Sequence, residues 1–258
     1  MGGTISKKHV GFPKKVLAEC VKYLLERYDD GTGYEERAVL VMLFHAVGRS
    51  SEVAVTTWDS SSWDEERQML VFDWGELKVG QQYIMTLHPS ADVEDGWVLD
   101  SFHSLGCYLL CAPSKHKASA SAEEAGINFM FPSYVNMADG GCAAKVTRTI
   151  EKCRDGGKVE GIPDDLTSHG LRVSAADEMM FNVYLPFFAA IARGGWDCKA
   201  DTMLFFYLTL KLHMATAGKA LAGWADPTKP VVAPTLEAIY DDSNRDVLGI
   251  VLSYSNYA

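Results

Sequence analysis

A few residues in this chain have side chains suited to chemistry. His169 and Arg172 stand three apart in LTSHGLRVSAADEMM, so on a helical turn they share a face. Arg49 ends a long apolar stretch and is followed three positions later by Glu52. Lys78 lies in WGELKVGQQYIMTLHP, Trp196 closes a Gly-Gly-Trp, and Tyr207 sits in MLFFYLTL. A guanidinium is a planar fork that keeps its charge and matches the oxygens of a phosphate. Lysine and histidine can move protons, and a phenol can attack phosphorus to form a covalent ester. Each residue also has an ordinary structural use. Arg49 suits a helix C-terminus, where a cation complements the dipole. Lys78 is a solvated hairpin lysine and His169 a core histidine with satisfied nitrogens. Trp196 is a packed indole, and Tyr207, among Leu204, Phe205, Phe206 and Leu208, is a core aromatic.

The elements that must position these groups follow from periodicity and turn residues. Pro13 can open a helix, and KKVLAECVKYLLERY repeats apolar residues at helical spacing. After the DDGTG turn, EERAVLVMLFHAV is a second, mostly apolar and hence buried helix that ends near Gly48. Three strand-like pieces come next, near Val53 to Trp58, Arg67 to Trp74 and Gln81 to Pro89. GELKVG joins the last two as a hairpin connection with Gly75 and Gly80 as turn residues, which puts Lys78 on a hairpin. Helical patterning returns at Gly96 in WVLDSFHSLGCYLLCA. Residues 113–126 read as a loop, INFMFPSYV as a short extended piece, and AAKVTRTIEKCRD as a helix closed by Gly156-Gly157. Thr167 or Ser168 can cap the helix that carries Arg172, which runs on to Pro186. PFFAAIARGG is a short helix and DTMLFFYLTLKLHMATAGKALAG a longer one. The expected organisation is a lead over 1–12, one domain over 13–225 and a tail over 226–258. The fold class is mostly α, with a small antiparallel sheet near 53–89.

Composition narrows the class. The chain has 258 residues, enough for one large core, and ordinary globular usage. Its six cysteines form no C-x-x-C pair; Cys107 and Cys111 read as buried thiols, and a reducing compartment is implied. That means the nucleus in a eukaryote or the cytoplasm otherwise, and no secretory leader is evident. MGGTIS fits a myristoylation pattern at Gly2, a short pattern that weighs little against a soluble reading. A net charge of −10 argues against strong independent affinity for nucleic acid, though a locally positive face on an acidic body can still bind it.

Taken in order, the chemical residues resemble the catalytic domain of the tyrosine recombinase, or phage integrase, family. GRSSEV carries the family's first arginine as Arg49, with Glu52 at its acidic position. Lys78 matches the hairpin lysine, His169 and Arg172 the His-x-x-Arg box, Trp196 the following His/Trp position and Tyr207 the nucleophile. The resemblance spans roughly Pro13 to Gly223. The layout from Gly-Gly-Trp to GKALAG is most similar to recombinase-like proteins of eukaryotic mobile elements such as Cryptons.

The resemblance implies DNA cleavage and rejoining through a 3′-phosphotyrosyl intermediate, with no metal or other cofactor. Arg49 and Arg172 would clamp the scissile phosphate. Lys78 would protonate the leaving 5′ oxygen and His169 would take the phenol proton. Trp196 would donate its indole N–H or pack against the phosphate, and Glu52 would brace the site. The implied partners are DNA and further copies of the chain on DNA, with the helix after Tyr207 either docking on a neighbour or folding back on its own core.

The sequence departs from the family in three ways. The gap from Trp196 to Tyr207 is two residues longer than the commonest spacing, which would fall on Phe205. The chain leaves no room for the usual N-terminal clamp domain, and its acidity is unusual for the family. These departures keep two other functions open: a catalytically inactive derivative that binds DNA or protein, and a type IB topoisomerase-like enzyme.

Overall fold

The most apolar stretch of the sequence, AVLVMLF, lies at the centre of the core. It belongs to helix α2 (Thr32–Ala46), in which every residue from Ala38 to Ala46 is buried. A helix buried all round must be enclosed by other elements, since no face is left for solvent. In the computed structural model, which describes residues 11, 13–26, 31–76, 82–91, 96–112, 127–135, 141–196 and 210–231, that enclosure is made of helices and one sheet.

Among the described residues there are eight α-helices. Besides α2 they are α1 (Lys14–Leu25), α3 (Ser50–Ala54), α4 (Ser101–Cys111), α5 (Gly141–Asp155), α6 (Ser168–Met180), α7 (Phe187–Gly194) and α8 (Leu210–Leu221). Three strands form an antiparallel sheet in the order β1 (Ser61–Asp64), β2 (Met69–Glu76), β3 (Gln82–Leu87). The protein is mostly α with a small antiparallel sheet, as expected. Helices α1, α4, α5 and α6 pack around α2.

The sheet obeys the period-two rule of strands. On β3, Tyr83, Met85 and Leu87 join the main core, while Thr86 faces α8 through a bond from its Oγ1 to the Met214 carbonyl at 2.8 Å. On β2, Phe72 joins the core, and Met69 and Val71 form a second cluster with Ala215 of α8. The β2–β3 register shifts between Asp73 and Glu76, and Gly75 within that shift has a φ of 65°.

Three local expectations are corrected. The first strand-like piece, Val53 to Trp58, is not a strand. Residues Ser50–Ala54 form a helix, a 3-10 turn follows at Trp58–Ser60, and the first strand begins at Ser61. The cause is Glu52, whose carboxylate caps that helix from its third position. The helix carrying Arg172 stops at Met180 rather than reaching Pro186. Asn182 accepts from the Tyr184 backbone in an Asx turn, and the proline disfavours helix in the residue before it. Cys107 is half-buried and Cys111 exposed, because α4 turns its Leu105 and Tyr108 face to the core instead. No helix among the described residues is long and apolar enough to cross a membrane.

Candidate functional site

Arg49 follows α2 after a sharp turn. Val47 caps that helix in the left-handed region at φ 51°, and the chain passes through Gly48 to Arg49, the residue before α3. A Cβ on Gly48 would come within 3.3 Å of the Trp74 indole, so the turn fits closely under that ring. Glu52 then reaches back and takes two bonds. Its Oε2 accepts from the Arg49 backbone N–H at 2.7 Å, and its Oε1 accepts from the guanidinium Nη1 at 2.5 Å. The Arg49 side chain is held in this way yet stays 42% exposed, whereas that of Glu52 is 13% exposed. The α5 helix leans on the same turn, where the Cys142 thiol donates to the Ser50 carbonyl at 3.1 Å.

Arg172 enters from α6. Its backbone sits one turn into the helix and the residue is buried, at 5% exposure. Its Nη2 donates to the Gly194 carbonyl at the last turn of α7. Two residues on, the Trp196 ring lies beneath the charge, with Arg172 Cζ 5.7 Å from the ring centroid. The Gly-Gly-Trp sequence makes this possible. Gly195 ends α7 in the left-handed region at φ 57°, which glycine adopts without strain. The indole then folds back over the helix end so closely that a Cβ on Gly194 would overlap it at 2.4 Å.

Arg49 and Arg172 feel each other. Burial, then the like charge of Arg49, holds the Arg172 guanidinium below the usual arginine range, while Glu52 and Tyr83 act in the opposite sense. Tyr83 lies in the same neighbourhood. Burial pushes its phenol up to about 12, and among the charges acting on it are Arg193, Glu52, Arg172 and Arg49. Two cations within electrostatic reach of each other and of one carboxylate give this neighbourhood one excess positive charge on an acidic protein. That is the field a phosphate diester needs.

The other proposed site residues fall as follows. His169 is exposed on the first turn of α6, three residues before the buried Arg172. The backbone of its neighbour Ser168 is tied to α5 by a bond to Thr147 Oγ1 at 3.3 Å. Thr167 precedes the helix without a side-chain capping bond. Lys78 and Tyr207 lie outside the described residues. Sequence reading does not single out Trp74, Tyr83 or Arg193. Trp74 stacks on Tyr83 with ring centroids 5.3 Å apart, and the Tyr83 hydroxyl bonds the carbonyls of Ala46, at 2.7 Å, and Arg193. The one available signal was an arginine in the apolar run FFAAIARGG.

No protein-family model matches the sequence, and no curated protein matches it. The fold does have solved counterparts. The chain is similar to the site-specific recombinase XerH bound to its difH substrate in a pre-cleavage complex, with a TM-score of 0.50 and 10% identity. That match covers 78% of this chain and 51% of the recombinase. The XerH post-cleavage complex with palindromic difH matches at a TM-score of 0.50 and 10% identity, over 82% of this chain and 50% of the other. The protein has the tyrosine recombinase fold, and it spans about half the length of these counterparts.

Proposed function

We propose that the chain is a tyrosine recombinase catalytic domain that cleaves and rejoins DNA through a 3′-phosphotyrosyl intermediate. What supports this reading most is that Arg49 and Arg172 lie within electrostatic reach of each other and of Glu52, in a fold shared with a DNA-bound recombinase. Each arginine would hold non-bridging oxygens of one scissile phosphate. The Tyr207 phenol oxygen would attack phosphorus as the bond to the 5′ oxygen breaks. His169 would take the phenol proton and Lys78 would give one to the leaving oxygen. The new ester conserves the energy of the broken diester, so the reverse attack by a 5′-hydroxyl rejoins DNA without ATP. The layout from Gly194 to Gly223 supports a Crypton-like, mobile-element subtype, and several copies would assemble on DNA.

The longer gap before Tyr207 and the charge of −10 favour one rival, a derivative that keeps the fold and binds without cleaving. A nicked suicide duplex, from which the cleaved strand diffuses away, separates the two. The recombinase reading expects a protein–DNA adduct that survives denaturation. No adduct on any duplex, from a chain with its fold intact, would leave the binding-only derivative as the better account.

A further inference from the structure

Arg193 is one of the fully buried charges of this protein, beside Arg37, and has no role in the proposed chemistry. It is 0% exposed and, among the described residues, pairs with no carboxylate. Its charge is met by uncharged oxygens. Nε and Nη2 donate to the His45 carbonyl at 3.0 and 2.5 Å, Nη2 to the Thr86 carbonyl at 2.6 Å, and Nη1 to Thr86 Oγ1 at 3.1 Å. Burial lowers its pKa to about 10, so the group remains a cation at neutral pH. Burying a cation without an anion is costly, and an apolar residue of equal size often serves stability as well or better. What an arginine adds is geometry: a rigid fork whose five N–H donors fix several acceptors at once.

The acceptors lie on the segments that carry the site. His45 and Ala46 are in the last turn of α2, and Arg49 comes three residues after Ala46. Thr86 and Tyr83 are on β3, the strand that follows the segment bearing Lys78. The Tyr83 hydroxyl reaches both the Ala46 and the Arg193 carbonyls, which closes a loop between α2 and α7. The next carbonyl after that of Arg193, on Gly194, receives Arg172. Thr86 Oγ1 continues to the Met214 carbonyl of α8.

We propose that Arg193, seconded by Tyr83, is a positioning residue that fixes the distance between the Arg49 turn and the Arg172–Gly194 contact, and so sets the two-arginine clamp. This rests on the recombinase reading for its consequence in cleavage, but not for its consequence in anion binding. Arg193 touches no reacting atom; it acts through the backbone of α2 and α7. Misplacing a clamp by about 1 Å can cost on the order of 10²-fold in rate.

The test uses the full chain with Arg193→Met, Arg193→Lys, Tyr83→Phe and, as reference, Arg172→Met, each first shown to unfold cooperatively. Inorganic phosphate is titrated against each and followed by its ³¹P linewidth. Adduct formation is timed on a suicide duplex with an ordinary scissile phosphate and on one with a neutral methylphosphonate there. Arg193→Met is expected to weaken phosphate binding about tenfold and to slow cleavage of the ordinary duplex about 10²-fold. The methylphosphonate should lose much less, because a neutral linkage asks less of the clamp. Arg193→Lys keeps the charge but not the fork and should fail to restore either value, and Tyr83→Phe should move both the same way by less. The Arg193→Met/Arg172→Met pair should be no worse than Arg172→Met alone, the mark of one shared function. A folded Arg193→Met with parental phosphate affinity and rate overturns the proposal, as does equal loss on both linkages. If Arg193→Met does not fold, parental values in folded Arg193→Lys and Tyr83→Phe overturn it. If the parent forms no adduct, the recombinase reading fails, and the phosphate titration still decides whether Arg193 sets the anion site.

Discussion

Arg172 and Trp196 hold one another: the guanidinium bonds the Gly194 carbonyl, and the indole two residues later lies 5.7 Å beneath the charge. The arginine is thereby fixed at both its fork and its face. On the proposed recombinase reading this buried guanidinium would meet the scissile phosphate, and preorganised charge of that kind is the one whose removal costs most. Arg172→Met should lower the rate of adduct formation by about 10²–10³-fold, which is about 2.7–4 kcal/mol of transition-state stabilisation. Trp196→Phe keeps a ring beneath the charge and should lose less than Trp196→Ala. Single-turnover cleavage with saturating protein measures all three, and an Arg172→Met chain that cleaves at the parental rate would remove Arg172 from the site.

Stability should fall as the solution is acidified, for a reason visible in the core. The His45 ring is fully buried, with Nε2 at 2.8 Å from the Leu99 carbonyl. Burial, helped by the charges of Arg193 and Lys14 and opposed by the Leu99 carbonyl and Asp100, holds its pKa at about 4 against an ordinary 6.5. Between those values the unfolded chain binds a proton that the folded chain refuses. The folded state therefore keeps its full margin above pH 6.5 and loses it as pH falls toward 4. The difference is worth up to about 3 kcal/mol at the acid end. His88, also buried and held well below its usual range, adds to the effect in the same direction. Urea midpoints measured from pH 7.5 to 4.5 should decline, and His45→Gln should flatten part of that slope. An unchanged slope in the variant would mean that the loss comes from other groups.

Much of this architecture is legible in the sequence because it is local. The apolar run of α2, the hairpin strands and the helix around Arg172 announce themselves within windows of a dozen residues. The first strand was misplaced because VAVTTW has strand-like composition, while one carboxylate at Glu52 capped a helix in front of it. The node at Arg193 was illegible for the opposite reason. Its bonds reach 107 residues back to Thr86 and 148 back to His45, and no periodicity reports a contact across that distance.

The helix after Tyr207 illustrates the same limit. Its small residues fit equally well a neighbouring protomer or the helix's own core, and in the structure α8 lies on β3 of the same chain. Gly218 packs tightly against the end of that strand. A Cβ there would stand 2.7 Å from His88 Cδ2 and 2.8 Å from Thr86 Oγ1, both of them buried and the latter already bonded to Met214. Alanine is the better helix former by about 1 kcal/mol, but overpacking a filled site costs about 1–3 kcal/mol. Gly218→Ala should therefore lower the thermal midpoint despite its gain in propensity. A raised midpoint would mean that α8 does not rest on this sheet.

On the recombinase reading Tyr207 is expected to be the nucleophile. It is the sole tyrosine between Tyr184 and Tyr240, and the commonest family spacing from Trp196 lands on Phe205, which has no group to attack with. A phenol with an ordinary pKa of about 10 is a poor nucleophile near neutrality. It needs a base to take its proton and cations to favour the charge that develops on the phosphate. On the recombinase reading His169, at the exposed start of α6, would be the base, and Arg49 and Arg172 the cations. Tyr207→Phe removes one hydroxyl, so thermal unfolding and duplex binding should match the parent while the covalent adduct disappears. Peptide mapping of the parental adduct should place the nucleotide on the fragment containing Tyr207. An adduct that persists in the phenylalanine variant would move the search to Tyr184, which is 55% exposed on the turn between α6 and α7, and to Tyr240.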